Sequence, residues 1–160
     1  MAGVRKAGLV GAVLTAIALA VGTIAPWEGK RNEPYLDPVG IRTVCYGETR
    51  VAMRRYSDAE CLEMLESAAA EFAEGVRVRN PAIVDYPHQW AAHTSFAYNV
   101  GLAAYSRSSV ARLFEQGRQA EACRFLGRYV YAGGRVLPGL VRRRAAETAL
   151  CLTDAKDAAA

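Results

Sequence analysis

EGKRNEPYLDPVGIRTVCYG, residues 28–47, decides how this chain is read. Asp37-Pro38-Val39-Gly40 carries the residue types that close a tight turn, and β-branched and aromatic residues flank it, so 34–47 is read as a small β-hairpin region. The stretch opens on a charge, whereas every position from Ala7 to Trp27 is uncharged. That run is longer than a typical signal-peptide core and reaches the roughly 20 residues a helix needs to cross the hydrocarbon layer. Arg5 and Lys6 on its N-terminal flank hold that end in the cytoplasm and send the body of the chain outside. Because Ala7, Ala12, Ala16, Ala18, Ala20 and Ala25 alternate with Gly8, Gly11 and Gly22, transfer energy is modest and insertion is expected to be marginal and reversible. Two readings stand side by side. One is an uncleaved anchor, favoured by the segment's length; the other is a cleaved signal peptide, with Ala18-Leu19-Ala20 as a small-residue peptidase site.

Downstream of the hairpin the pattern is helical. Ser57-Asp58-Ala59-Glu60 forms a capping box, after which Leu62, Leu65, Ala69, Phe72 and Val76 recur at helical spacing up to an expected end near Gly75. Further helices are expected at 90–100, 109–116, 119–131 and 140–152, with Gly101, Gly117 and Gly133-Gly134 as stops. Trp90, Phe96, Tyr98, Phe125 and Tyr129 fall at core positions, and His88 and His93 read as ordinary helix residues. The Ala-rich end, residues 155–160, is expected to be frayed and disordered. With 160 residues and 52% apolar content, the chain supports one α+β, mostly helical domain over 28–154 behind the N-terminal segment 1–27.

Cys45, Cys61, Cys123 and Cys151 are too widely spaced for a zinc site and contain no CxxC pair. Their even number fits an exported domain with two disulfides, and chain proximity favours Cys45–Cys61 and Cys123–Cys151 among three possible pairings, with four buried thiols as the alternative. Without residues 1–27, which hold Arg5 and Lys6, 18 basic residues face 16 acidic ones, a net charge of +2. That balance is no nucleic-acid signature. Seventeen of the 20 basic residues are nevertheless Arg, and Arg142-Arg143-Arg144 form a run. Such a run either lines a cleft for an acidic polymer or forms a solvated helix face.

Glu28, Asp37 and Thr43 carry the candidate chemistry. A helix end followed by a hairpin can fold all three onto one cleft, where one protonated and one ionised carboxyl meet the needs of glycoside hydrolysis and a hydroxyl holds water. Spacing alone is weak support, but the surrounding words are specific. Glu28-Gly29, Pro34-Tyr35-Leu36-Asp37 and Gly40-Ile41-Arg42-Thr43 match, without a gap, the Glu, eight residues, Asp, five residues, Thr pattern of the phage-type lysozymes. Ser95-Phe96-Ala97-Tyr98-Asn99-Val100-Gly101 resembles that family's central-helix motif, and Tyr131-Ala132-Gly133-Gly134 with Gly139-Leu140 and Arg143-Arg144 to Glu147 resembles its C-terminal one.

The resemblance implies a lysozyme-like domain that hydrolyses the β-1,4 bond between N-acetylmuramic acid and N-acetylglucosamine in peptidoglycan, with inversion. It implies Glu28 as general acid, Asp37 as base or water-orienting group, Thr43 as water holder, Asn99 as a sugar contact, and an Arg of the run, Arg143, as a substrate contact or as the partner of Glu28. No metal or organic cofactor is called for, and a monomer is expected. Relatives commonly carry His where this chain has Glu48, so an ion pair made there must differ. Because Glu28 follows Trp27 with no spacer, the chain also resembles the signal-anchor-release endolysins. The expectation is a precursor held in the host inner membrane with its N-terminus inside, released to the periplasm, where residues 7–27 fold onto the domain. The anchor lacks Cys, so refolding and not disulfide exchange is the expected switch. Competing readings are a secreted lysozyme with a cleaved leader, an inactive wall-binding module and a lytic transglycosylase.

Overall fold

The computed structural model describes residues 2–156, with side chains from residue 8 onward. In chain order it contains α1 (Ala2–Glu28), β1 (Arg31–Leu36), β2 (Arg42–Cys45), α2 (Asp58–Arg79), a 3-10 turn at Pro81–Asp85, α3 (Pro87–Val100), α4 (Leu102–Arg107) and α5 (Ser109–Glu115). There follow α6 (Gln119–Phe125), a 3-10 turn at Leu126–Arg128, β3 (Tyr131–Ala132), β4 (Arg135–Val136) and α7 (Pro138–Leu152). This is the mostly helical α+β architecture expected, with two antiparallel strand pairs in place of one.

α3 is the axis of the domain. All nine residues from Gln89 to Ala97 are buried, as befits a helix covered on every side, and α1, α2 and α7 pack around it. α1 contributes Ala16, Ala20 and Ile24, each with no exposed surface. Their small neighbours Ala69 and Ala73 on α2 and Ala91 and Ala92 on α3 belong to the same two clusters, so helix axes can approach closely. The opposite side of α1, with Leu14, Thr15, Ala18, Gly22 and Pro26, stays open, and nearer its N-terminus Leu9 and Val10 are exposed as well. Among the described residues, one helical stretch, Gly8–Glu28, is long and apolar enough to cross a membrane. The same segment therefore satisfies two environments by two faces.

The capping box forms as read: Glu60 N donates to Ser57 Oγ at 3.2 Å and Ser57 N donates to Glu60 Oε2 at 2.7 Å. Several boundaries differ from expectation, among them the start of α3 at Pro87, ahead of Trp90, and of β1 at Arg31, ahead of Pro34. α2 runs on through Gly75 to Arg79, because Gly75 is where Leu102 of α4 lies against the helix; a Cβ there would sit 2.5 Å from both Leu102 methyls. The glycine serves close approach and not termination. The helix expected over 119–131 stops at Phe125, tightens into a 3-10 turn, and gives way to the β3–β4 hairpin with Tyr131 opposite Val136. α7 starts at Pro138, a residue suited to the first turn. α4 and the 3-10 turn at 81–85 have no counterpart in the expected elements.

Disulfides join Cys45 to Cys61 and Cys123 to Cys151, tying β2 to α2 and α6 to α7. By closing loops in the unfolded chain each contributes about 3 kcal/mol. At the C-terminus, Ala155 packs on the core and Lys156 N donates to Gln119 Oε1 at 2.7 Å. Asp154 accepts from the backbone N–H groups of His88 and Gln89 at 2.8 and 3.1 Å, capping α3 from another part of the chain. Residues 157–160 of the expected frayed tail lie outside the described residues.

His93 is a core residue: it has no exposed surface, and its Nδ1 lies 2.8 Å from the Tyr105 hydroxyl. Burial pushes its pKa down to about 3. An unfolded chain binds a proton at this imidazole below about pH 6.5 and the folded chain does not, so stability falls as pH drops from about 6.5 toward 3. Urea denaturation of His93→Gln against wild type at pH 7, 6, 5 and 4 should show this term, at most about 1.4 kcal/mol per pH unit, missing from the variant. Parallel slopes would remove His93 as its source.

Candidate active site

Glu28 is the last residue of α1, and the left-handed backbone of Gly29 (φ +60°) ends the helix and turns the chain into β1. Its carboxylate is about one quarter exposed and accepts from Arg143 Nη1 at 2.7 Å. Gly47 (φ +87°) brings the far end of the hairpin against the same group: a Cβ there would lie 3.9 Å from Glu28 Oε2. Glu28 thereby sits where α1, α7 and the β1–β2 hairpin converge. It faces a cleft of about 500 Å³ walled by Tyr46 and Glu48 of the hairpin side, Glu71 and Phe72 of α2, and Tyr98 of α3.

The hairpin holds the other two expected residues. Asp37 Oδ1 accepts from Val39 N at 2.9 Å and Ile41 N at 2.8 Å, which fixes the turn that the Asp-Pro-Val-Gly sequence starts. Among the described residues its second oxygen has no protein partner. Thr43 is almost fully buried, and its hydroxyl donates to Ile41 O at 3.0 Å. Neither residue is part of the cleft wall that Glu28 lines. Cys45 takes a left-handed conformation (φ +60°) next to Tyr46 and is held there by its disulfide to α2. Tyr46 O in turn accepts from the Tyr98 hydroxyl at 3.2 Å.

The arginine run splits. Arg142 is exposed, as a solvated face requires, but Arg143 and Arg144 are buried at 3% and 1% exposure. Arg143 donates to Glu28, to Glu147 Oε1 at 3.1 Å and to Ser95 O at 3.1 Å. Of the two roles considered for it, this geometry is that of a partner behind Glu28, with the guanidinium turned to protein groups. Arg144 donates to Glu147, to Tyr129 O and to Asn99 Oδ1, and lies over the Phe96 ring. Burial lowers the Arg144 pKa against the opposing pull of Glu147. Asn99 itself is exposed at the end of α3. Glu147, with no exposed surface, also accepts from Ser95 Oγ at 2.7 Å, so this carboxylate joins α3 to α7 and, through Arg143, reaches Glu28. Its structural role escaped the sequence reading; the Arg-Arg-x-x-Glu spacing, which places the carboxylate one helical turn from both cations, is the signal that could have found it.

The hairpin side of the cleft carries a second network. Glu48 Oε1 accepts from Thr49 N, Arg50 N and Arg50 Nε, and Arg50 Nη1 crosses to Glu71 Oε2 of α2 at 3.0 Å. Burial, the largest single influence on Glu48, works to raise its pKa; the Arg50 side chain and the two backbone N–H groups together outweigh it and hold the carboxyl below its usual range. At position 48, where relatives commonly carry His, the carboxylate pairs with Arg50. Burial, then the Glu28 and Glu48 charges, push the Tyr98 hydroxyl up to about 12, so it remains a hydrogen-bond donor at the cleft. Arg50, Glu71 and Tyr98 were not among the expected site residues. Nothing local marks Arg50 or Glu71, and Tyr98 reads equally well as core.

A helix-borne carboxylate stands at an open cleft, backed by a buried arginine, and the adjoining hairpin carries a second carboxylate. Residues 25–147 match the family model described as Phage lysozyme. The SAR-endolysin of Bacteriophage PS119 is 40% identical over 130 residues, covering 78% of this chain and 76% of that one. The SAR-endolysin of Escherichia phage Mu is 32% identical and aligns with 94% of each chain. Among solved structures, the active form of P1 phage endolysin Lyz superposes with a TM-score of 0.75 at 26% identity, covering 84% of this chain and 83% of that one. The chain belongs to the phage lysozyme family and is a lysozyme, a glycoside hydrolase.

Proposed function

We propose that this enzyme is an endolysin that cleaves the β-1,4 bond from N-acetylmuramic acid to N-acetylglucosamine in bacterial peptidoglycan, with Glu28 as general acid. The observation that carries the reading is the placement of Glu28 at the convergence of α1, α7 and the hairpin, with Arg143 behind it and the cleft in front. Glu28 delivers a proton to the leaving glycosidic oxygen. Asp37, whose Oδ1 is engaged by the turn, uses Oδ2 to orient or deprotonate the attacking water. Thr43 already donates to Ile41 O, so its oxygen accepts from that water. Attack from the face opposite the leaving group inverts the anomeric carbon, which requires carboxyl groups about 6.5–9.5 Å apart in the reacting complex. Asn99, exposed near this end of α3, is available to a sugar. No metal or organic cofactor has a part in these steps. Product analysis tests the chemistry: reducing muramic acid ends of α configuration are expected, and 1,6-anhydro ends would identify a transglycosylase instead.

The same segment that presents Glu28 is proposed to hold the enzyme inactive. With Arg5 and Lys6 retained in the cytoplasm, residues 7–27 span the host inner membrane and pin Glu28 at the lipid surface. On release to the periplasm the segment docks on α2 and α3 through Ala16, Ala20 and Ile24 and sets Glu28 beside Arg143, and the enzyme acts as a monomer. The names of the relatives and the two-faced packing of α1 support this reading. Ala20→Leu should shift the balance back to the membrane. It overpacks a site with no exposed surface, at about 1–3 kcal/mol, and it makes the span more apolar. The expected result is a smaller periplasmic fraction after depolarisation and slower lysis. Unchanged fractionation and lysis would separate docking at Ala20 from release.

A further inference from the structure

We propose that Arg50 is a carboxylate-recognition subsite of the cleft, binding an acidic group of the peptides that peptidoglycan carries on its glycan. The proposal rests on the muramidase reading above and deepens it. Arg50 is the one cation among the described residues lining the cleft with Glu28, where Glu48 and Glu71 are the other charged side chains. Its two glutamate partners differ in kind. Glu48 is 14% exposed and is itself fixed by the backbone N–H groups of Thr49 and Arg50, so it holds the guanidinium in place through Nε. Glu71 is 57% exposed and meets only Nη1, in direct contact at 3.0 Å with a guanidinium that is 60% exposed. An exposed pair of this type contributes little and is readily exchanged, whereas the planar fork of Arg suits a carboxylate better than any other side chain.

The arrangement is therefore a loaded clamp: Glu48 orients the fork, and Glu71 occupies the position that a substrate carboxylate takes. While a stem peptide is attached, the lactyl carboxyl of its muramic acid is an amide, so the free carboxylates of the wall are those of the peptides. Arg50 then distinguishes wall whose stem peptides carry free carboxylates from wall whose carboxyls are blocked.

The test compares kcat/KM on peptide-bearing glycan strands with kcat/KM on the same strands after their carboxyl groups have been blocked as methyl amides. Arg50→Gln is expected to lower the ratio of the two about tenfold, chiefly through KM on the unblocked strands, the effect of one charge-assisted hydrogen bond. Glu71→Gln removes only the competitor and leaves the ratio at or above the wild-type value. If Arg50→Gln changes both substrates in parallel, or if Glu71→Gln lowers the ratio as Arg50→Gln does, Arg50 is a strut between the hairpin and α2 and the proposal falls. Because each variant is read against its own activity on blocked strands, partial misfolding does not imitate the result. A wild-type enzyme that cleaves neither glycan overturns the muramidase reading itself.

Discussion

Glu28→Gln is expected to abolish hydrolysis of purified peptidoglycan, by about a thousandfold or more, while the protein still folds and still binds the wall. A positioned general acid contributes about 10²–10⁴ in rate, and at an inverting glycosidase no second group stands on the leaving-group side to replace it. The amide keeps the shape of the carboxyl and an acceptor for Arg143 Nη1, now at 2.7 Å, but it has no proton to give. Arg143 retains Glu147 and Ser95 O, so the stability change is limited to the loss of one charge-assisted bond, roughly 1–2 kcal/mol. Loss of turbidity clearing with retained pelleting on sacculi and a near-native melting curve is the expected pattern. Activity within tenfold of wild type would place the proton donor elsewhere and return Glu28 to the status of a structural partner of Arg143.

How far the sequence anticipates this site follows the distance over which each contact acts. The hairpin turn at Asp37, the Ser57 capping box and the Cys45–Cys61 and Cys123–Cys151 pairs depend on neighbours within one or two turns or on the nearest cysteine, and all were legible. Glu28, Asp37 and Thr43 were named because their spacing and the words around them are local too. The α2 end failed at Gly75 for the opposite reason: a glycine read as a helix stop by propensity is instead the landing place of Leu102, a contact that propensity cannot foresee. The Arg50–Glu71 bridge joins a loop to a helix 21 positions away, and Arg143 meets Glu28 across 115. In the second case a resemblance supplied the partner; in the first nothing did. The apolar segment shows the limit most plainly. Its composition fits a membrane span, and only the packing reveals that Ala16, Ala20 and Ile24 also form a helix face complementary to α2 and α3.

Glu147→Ala should be the most destabilising single substitution in the domain, by about 3–5 kcal/mol, and should lower activity as well. Glu147 is fully buried and is the carboxylate that faces Arg143 and Arg144 together. Without it, Arg144 is left in the core with only the neutral acceptors Tyr129 O and Asn99 Oδ1, and burial already disfavours its charge. Arg143 keeps Glu28 but loses the contact that fixes its guanidinium from behind, so the residue that orients the proposed acid becomes mobile. Against a total stability of about 5–15 kcal/mol the loss corresponds to a fall in Tm of about 10 °C, and added salt will not restore it because the buried Arg144 is out of reach of dissolved ions. Glu147→Gln, which keeps the volume and an acceptor oxygen, should lose less stability. A fall of less than about 3 °C for the alanine variant would mean that water or a neighbour reaches Arg144 in its place, and the network would then serve orientation without serving stability. If kcat drops while Tm holds, Arg143 acts on Glu28 through geometry alone; if both drop together, the same buried carboxylate that closes the core also sets the acid in the cleft.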